Sequence, residues 1–205
     1  NNGSMNLVTL GNGDTVQNLI LSGGTNTIFG SGIAGANINN NTITGASLAG
    51  ISLTNTTGAI GITQNTISNT GTDGILLTNA GAVSVNGGTI NGAGGDGIHS
   101  SDTNLTATNV NIGGAGTITG DGIEIVNGGS AHTVNLSNNT IKANASGIST
   151  VDSGNAGELV LTLDGNTLQS LNAGSKALRV LGGGPNSTIV ASMNGGTVIG
   201  GANSG

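Results

Sequence analysis

Three aspartates, Asp73, Asp96 and Asp121, each stand immediately before a Gly-Ile pair, 23 and then 25 residues apart. The same place is taken by Ala49, Ser146 and Lys176 where the pair recurs as Gly50-Ile51, Gly147-Ile148 and the degenerate Ala177-Leu178. The second residue after each Gly reads Ser52, Leu76, His99, Glu124, Ser149 and Arg179. If each interval is one turn of a stacked coil, His99 and Glu124 become neighbours on the face that carries Asp96 and Asp121. An imidazole among carboxylates is equipped for proton transfer, and paired carboxylates would make glycoside cleavage the reaction class. The aspartate column offers a second chemistry. Two carboxylates about 5 Å apart repel by about 3 kcal/mol at an effective dielectric near 20. A cation relieves that, and the all-oxygen set Asp73, Asp96 and Asp121 suits Ca²⁺.

The surroundings argue for restraint. The chain has one Phe (Phe29), no Trp and no Tyr, so aromatic rings to stack on a sugar are almost absent. Its three cations are Lys142, Lys176 and Arg179, and the one in the column of Glu124 is Arg179, two coils further on. Asp-Gly is also a common turn pair. The expectation is therefore a face that binds rather than catalyses, with no cofactor required and Ca²⁺ as the one candidate ion. His132 is a lone histidine beside the Asn127–Ala131 loop and is expected to be solvated. Asp102 and Asp152 read as turn residues.

An eight-residue pattern positions these groups. It runs apolar, any, apolar, two polar or small residues, one variable residue, Thr or Asn, then aliphatic. ANINNNTI opens it at 36–43, and it returns at 60–67, 83–90, 105–112, 134–141, 161–168 and 191–198. Successive starts differ by 24, 23, 22, 29, 27 and 30 residues. The Gly-Ile motif always falls between two copies. Each unit thus holds three short strands of the types Ile51-Ser52-Leu53, Val83-Ser84-Val85 and Thr89-Ile90. Period-two alternation puts Ile, Leu and Val on one face and Ser, Thr and Asn on the other. A column of Thr42, Thr66, Thr89, Thr140, Thr167 and Thr197 repeats in the third strand, interrupted by Asn111.

Three strands in about 23 residues can wind as one closed coil with a perimeter of about 75 Å. Coils stacked about 4.8 Å apart set equivalent residues above one another. The fold class is all-β: a single-stranded parallel β-helix, or solenoid, of about 7–8 coils of roughly 22–30 residues. Residues 1–205 read as one domain. Small stacked aliphatics fill the interior, which accounts for a hydrophobic fraction of 34% with almost no aromatics. The 41 glycines serve close corners. With no signal sequence at Asn1 and no evident cap at either end, the chain reads as a fragment of a longer solenoid. Insertions at 112–119, 127–133, 151–158 and 181–187 are expected to project as loops.

A net charge of −6 with three cations excludes nucleic acid as a partner. No apolar run is long enough to insert in a membrane as a helix. The alternation of Gly-Ile-x-Leu with Asn-Thr-Ile over residues 32–200 resembles the right-handed parallel β-helix repeats of the pectin-lyase-like superfamily. In its Gly, Asn, Thr and Ser content and its lack of Cys it looks most like bacterial autotransporter passengers and adhesins. That resemblance implies right-handed winding. It also implies a stalk at the bacterial cell surface, extracellular, serving adhesion and virulence through a surface protein, a glycan or self-association, without catalysis. The superfamily also contains polysaccharide lyases and hydrolases. The rival readings are therefore a carbohydrate-active protein using His99, Glu124, Asp96 and Asp121, and a self-assembling filament or surface-layer subunit.

Overall fold

The computed structural model describes residues 5–152, 157–182 and 187–201. Among them are 24 strands and no helix. The strands form three parallel sheets of eight, and each strand pairs with the one three places along the chain. The first sheet runs from Val8–Thr9 to Leu178–Arg179, the second from Asp14–Gln17 to Thr188–Asn194, and the third from Ile20–Ser22 to Thr197–Ile199. This is a β-solenoid of about seven turns.

Register follows the repeat residue for residue. Ile51, Ile75, Ile98, Ile123 and Ile148 stack in the first sheet. The threonines stack in the third, with Asn111 in their line. The inward residues form one continuous core, in which Ile28, Ile51, Leu53, Leu77, Ile98 and Leu105 have no exposure. Gly97 in the Gly-Ile motif is needed for space rather than for an unusual φ. A Cβ there would lie 2.5 Å from the Gly122 carbonyl oxygen of the next coil and 2.5 Å from Ile112 Cγ2.

The corner between the second and third sheets uses backbone chirality and side-chain hydrogen bonding together. The residue after every second-sheet strand is left-handed. Asn18, Asn40, Gln64, Gly87, Asn109, Asn138, Gly165 and Gly195 have φ between 54° and 66°. Asn and Gly tolerate that region best. The next residue is the variable one of the repeat, and where it is Asn it is buried: Asn41, Asn65, Asn139 and Asn166 are at most 5% exposed. Asn139 Oδ1 accepts the Val110 N–H at 2.9 Å, and its Nδ2 donates to Ala107 O and to Asn166 Oδ1, each at 2.9 Å. Asn41 repeats the arrangement with Leu19 N–H and Val16 O.

The solenoid begins before residue 32, where the sequence pattern becomes readable. In the earlier coil Val16 pairs with Ile38, and Ile20 pairs with Thr42. There Leu19 stands in the asparagine place and Ile20, 84% exposed, stands in the threonine place. The insertions also differ from simple projecting loops. Ile118 returns to the core with no exposure, and Thr119 N–H bonds to Ala93 O at 3.0 Å. Asn127 is buried as well. Residues 153–156 and 183–186, in the last two insertions, lie outside the described residues.

Asn139→Ala is expected to leave Val110 N–H and Ala107 O without their side-chain partner. At about 1–3 kcal/mol for each buried unpaired group, the loss is about 2–6 kcal/mol. Exposed Asn135→Ala should stay within about 0.5 kcal/mol. Urea unfolding of the two variants checks the contrast.

Candidate functional site

The column before the Gly-Ile pairs is a chain of side-chain-to-backbone bonds. Asp73 Oδ1 accepts the Asp96 N–H at 2.9 Å, Asp96 Oδ1 accepts the Asp121 N–H at 2.8 Å, and Asp121 Oδ1 accepts the Ser146 N–H at 2.5 Å. Asparagine does the same upstream. Asn6 Oδ1 accepts the Asn26 N–H at 3.2 Å, and Asn26 Oδ1 accepts the Ala49 N–H at 3.3 Å. Asn and Asp share an acceptor oxygen but not a charge, so the acceptor is what this corner needs. Each aspartate of the candidate Ca²⁺ set already commits one oxygen to the next coil.

The first-sheet register sets His99 beside Leu76 on one side and Glu124 on the other, and Glu124 beside Ser149. The adjacency of His99 and Glu124 expected from the repeat is present. His99 Nδ1 is 2.8 Å from Glu124 Oε2 and forms a 3.2 Å hydrogen bond with Asp96 Oδ2. One ligand atom from each of the three lies within 4.8 Å of the other two. Their side chains are 27%, 23% and 14% exposed for His99, Glu124 and Asp96, so the group is reachable from solvent. Asp73 and Asp121 flank this trio along the corner and stand outside it.

A single Nδ1 faces two carboxylates, and it carries at most one hydrogen. The imidazole therefore holds its proton more strongly than usual. The hydrogen bond to Asp96 raises its pKa most, and the charges of Glu124, Asp73 and Asp96 add to this against partial burial. Burial raises the pKa of Glu124, and the nearby charges of Asp96 and Asp121 push the same way. Asp73 is raised chiefly by burial. Chemically, the trio can hold a proton or a cation between two carboxylates.

Two placements, those of Ser149 and His132, differ from the sequence expectation, and that of Asp102 agrees with it. Ser149, the outward neighbour of Glu124, has no exposure, and its Oγ has no hydrogen-bond partner. His132 is not solvated. Its side chain is 2% exposed, Nδ1 lies 2.8 Å from Ser130 O, and the buried Nε2 has no hydrogen-bond partner. His132 opens the second-sheet strand His132–Ser137 and pairs with Leu159, so it takes an inward place. Asp102 is a turn residue with φ 46°, and its Oδ1 accepts the Gly128 N–H at 2.8 Å. A polar residue at an inward place of an alternating strand was the available signal for His132.

A family model described as right handed beta helix region matches residues 6–170, including the first coils that the repeat pattern leaves unread. No curated protein and no solved structure matches the chain.

The sign of the pH effect follows from the raised values. A histidine whose folded pKa lies above 6.5 stabilises the fold most below 6.5, and loses that contribution as pH rises through the folded value. An NMR titration of His99 should show a midpoint above 6.5, lowered in Asp96→Asn and in Glu124→Gln. A wild-type midpoint at or below 6.5 would contradict this geometry.

Proposed function

The chain belongs to the right-handed β-helix family, and from that premise we propose that it is a passenger or stalk segment of a bacterial cell-surface adhesin, extracellular and without catalysis. What supports this is the continuity of an uncharged polar flank. The outward positions of the second sheet, Asn37, Gly61, Ser84, Thr106, Asn135 and Thr162, stand in register one coil apart. A shallow trough runs along that sheet, lined among others by Ala82, Ser84, Asn104 and Asn135. Arrays of hydroxyl and amide groups at about 4.8 Å intervals suit many weak hydrogen bonds to a glycan or an extended protein chain. Rigid stacking keeps the array aligned, so little ordering entropy is lost on binding.

The rival carbohydrate-active reading has one observation in its favour, the Asp96, His99 and Glu124 cluster. The two readings separate experimentally. Surface plasmon resonance against arrayed bacterial and host glycans and surface proteins should show binding that survives Glu124→Gln and weakens at least tenfold in Thr106→Arg with Asn135→Arg. Oligosaccharide cleavage by the wild-type chain that disappears in Glu124→Gln would overturn the adhesin reading. Ordered filaments at micromolar concentration with no ligand binding would also overturn it, in favour of a surface-layer subunit.

A further inference from the structure

We propose that Asp96 Oδ2, His99 Nδ1 and Glu124 Oε2 form a binding site for a divalent transition metal of the zinc class. The argument starts from donor type. Ca²⁺ and Mg²⁺ select oxygen donors, whereas an imidazole nitrogen with carboxylates suits Zn²⁺, at metal–ligand distances of about 2.0–2.2 Å. A tetrahedral ion with such bonds holds its donors about 3.5 Å apart. The three atoms here include pairs at 2.8 and 3.2 Å, with none beyond 4.8 Å. These separations are close to the spacing such an ion needs.

Two observations independent of that clustering support the assignment. The first is that the fold orients Asp96 from behind. Its Oδ1 is held by the Asp121 N–H, which leaves Oδ2 towards His99. Ligating carboxylates are commonly fixed by such an outer bond. The second is Ser149, whose fully buried Oγ has no hydrogen-bond partner and which stands directly beside Glu124 in the sheet. A hydroxyl there can bond to a ligating carboxylate or to a water on the ion. Charge points the same way. Asp73, Asp96, Asp121 and Glu124 gather on one side of the solenoid, and His99 is the basic side chain between Asp96 and Glu124. A divalent ion in place of the Nδ1 proton would serve both carboxylates at once. Three protein ligands leave the ion a fourth, exchangeable position, so the site would bind reversibly or bridge to a donor on a partner.

The site does not rest on the adhesin reading, and its test needs no activity. The 205-residue chain, stripped with chelator at pH 7.5, is titrated calorimetrically with Zn²⁺. One ion per chain with micromolar or tighter affinity is expected, undisplaced by millimolar Ca²⁺. His99→Ala and Glu124→Gln should each weaken it at least tenfold. Asp96→Asn should weaken it too, while keeping the Oδ1 acceptor and hence the circular dichroism of the wild type. Co²⁺ should show the visible absorption of a four-coordinate ion, lost in His99→Ala. No stoichiometric binding by the folded wild-type chain, or an affinity unchanged in His99→Ala, would overturn the proposal.

Discussion

An inner coil of this protein turns three corners, and at the described ones backbone groups leave the sheet while still pressed between the coils above and below. An unpaired N–H in that position carries a cost comparable to a lost hydrogen bond or more. Side-chain oxygens complete the ladder at two of the corners. Buried asparagines serve the turn from the second to the third sheet, as Asn139 does for Val110. Asn26, Asp73, Asp96 and Asp121 serve the turn into the first. These bonds link one coil to the next, so they carry the stacking through the places where the sheets do not.

The candidate site follows from that constraint. Asp96 is where it is because Asp121 N–H needs an acceptor, and a carboxylate that spends one oxygen on the backbone presents the other outward. His99 sits three residues further on, at the first outward position of the strand, and the parallel register supplies Glu124 from the next coil. A structural device and a cluster with metal-ligand chemistry thus share one residue. The same close stacking explains the composition. A Cβ at Gly97 would collide with both the next coil and Ile112, and an interior this narrow is filled by stacked aliphatics and leaves little room for aromatic rings.

Much of this was readable from residue order because a solenoid turns sequence period into spatial neighbourhood. The Gly-Ile and Asn-Thr-Ile alternation fixed the three strands from residue 36 onward, and counting along it placed His99 next to Glu124. The losses have particular causes. Leu19 and Ile20 replace the asparagine and threonine that mark the motif, so the first coil looked irregular although its backbone is not. The buried asparagines fell at a position that also accepts Gly88 and Val110, which hid their role as coil-to-coil bonds. Asp73, Asp96 and Asp121 invited a reading by charge, whereas Asn26 at the equivalent place shows that the acceptor oxygen is the shared property. His132 stands beside a loop, yet strand parity counted back from Val134 turns it inward.

Residue-resolved amide hydrogen exchange is the most direct measurement of the claim that corner side chains complete the coil-to-coil ladder. The amides of Asp96, Asp121 and Ser146 at one corner, and at the other those of Val110 and of Asn41 and Asn139, which donate to Asn65 Oδ1 and Asn166 Oδ1, should exchange as slowly as those of Ile98 and Leu105 within the sheets. The Val110 amide should lose that protection selectively in Asn139→Ala. Exchange at these six amides as fast as in the exposed turns, with the sheet amides still protected, would contradict the account.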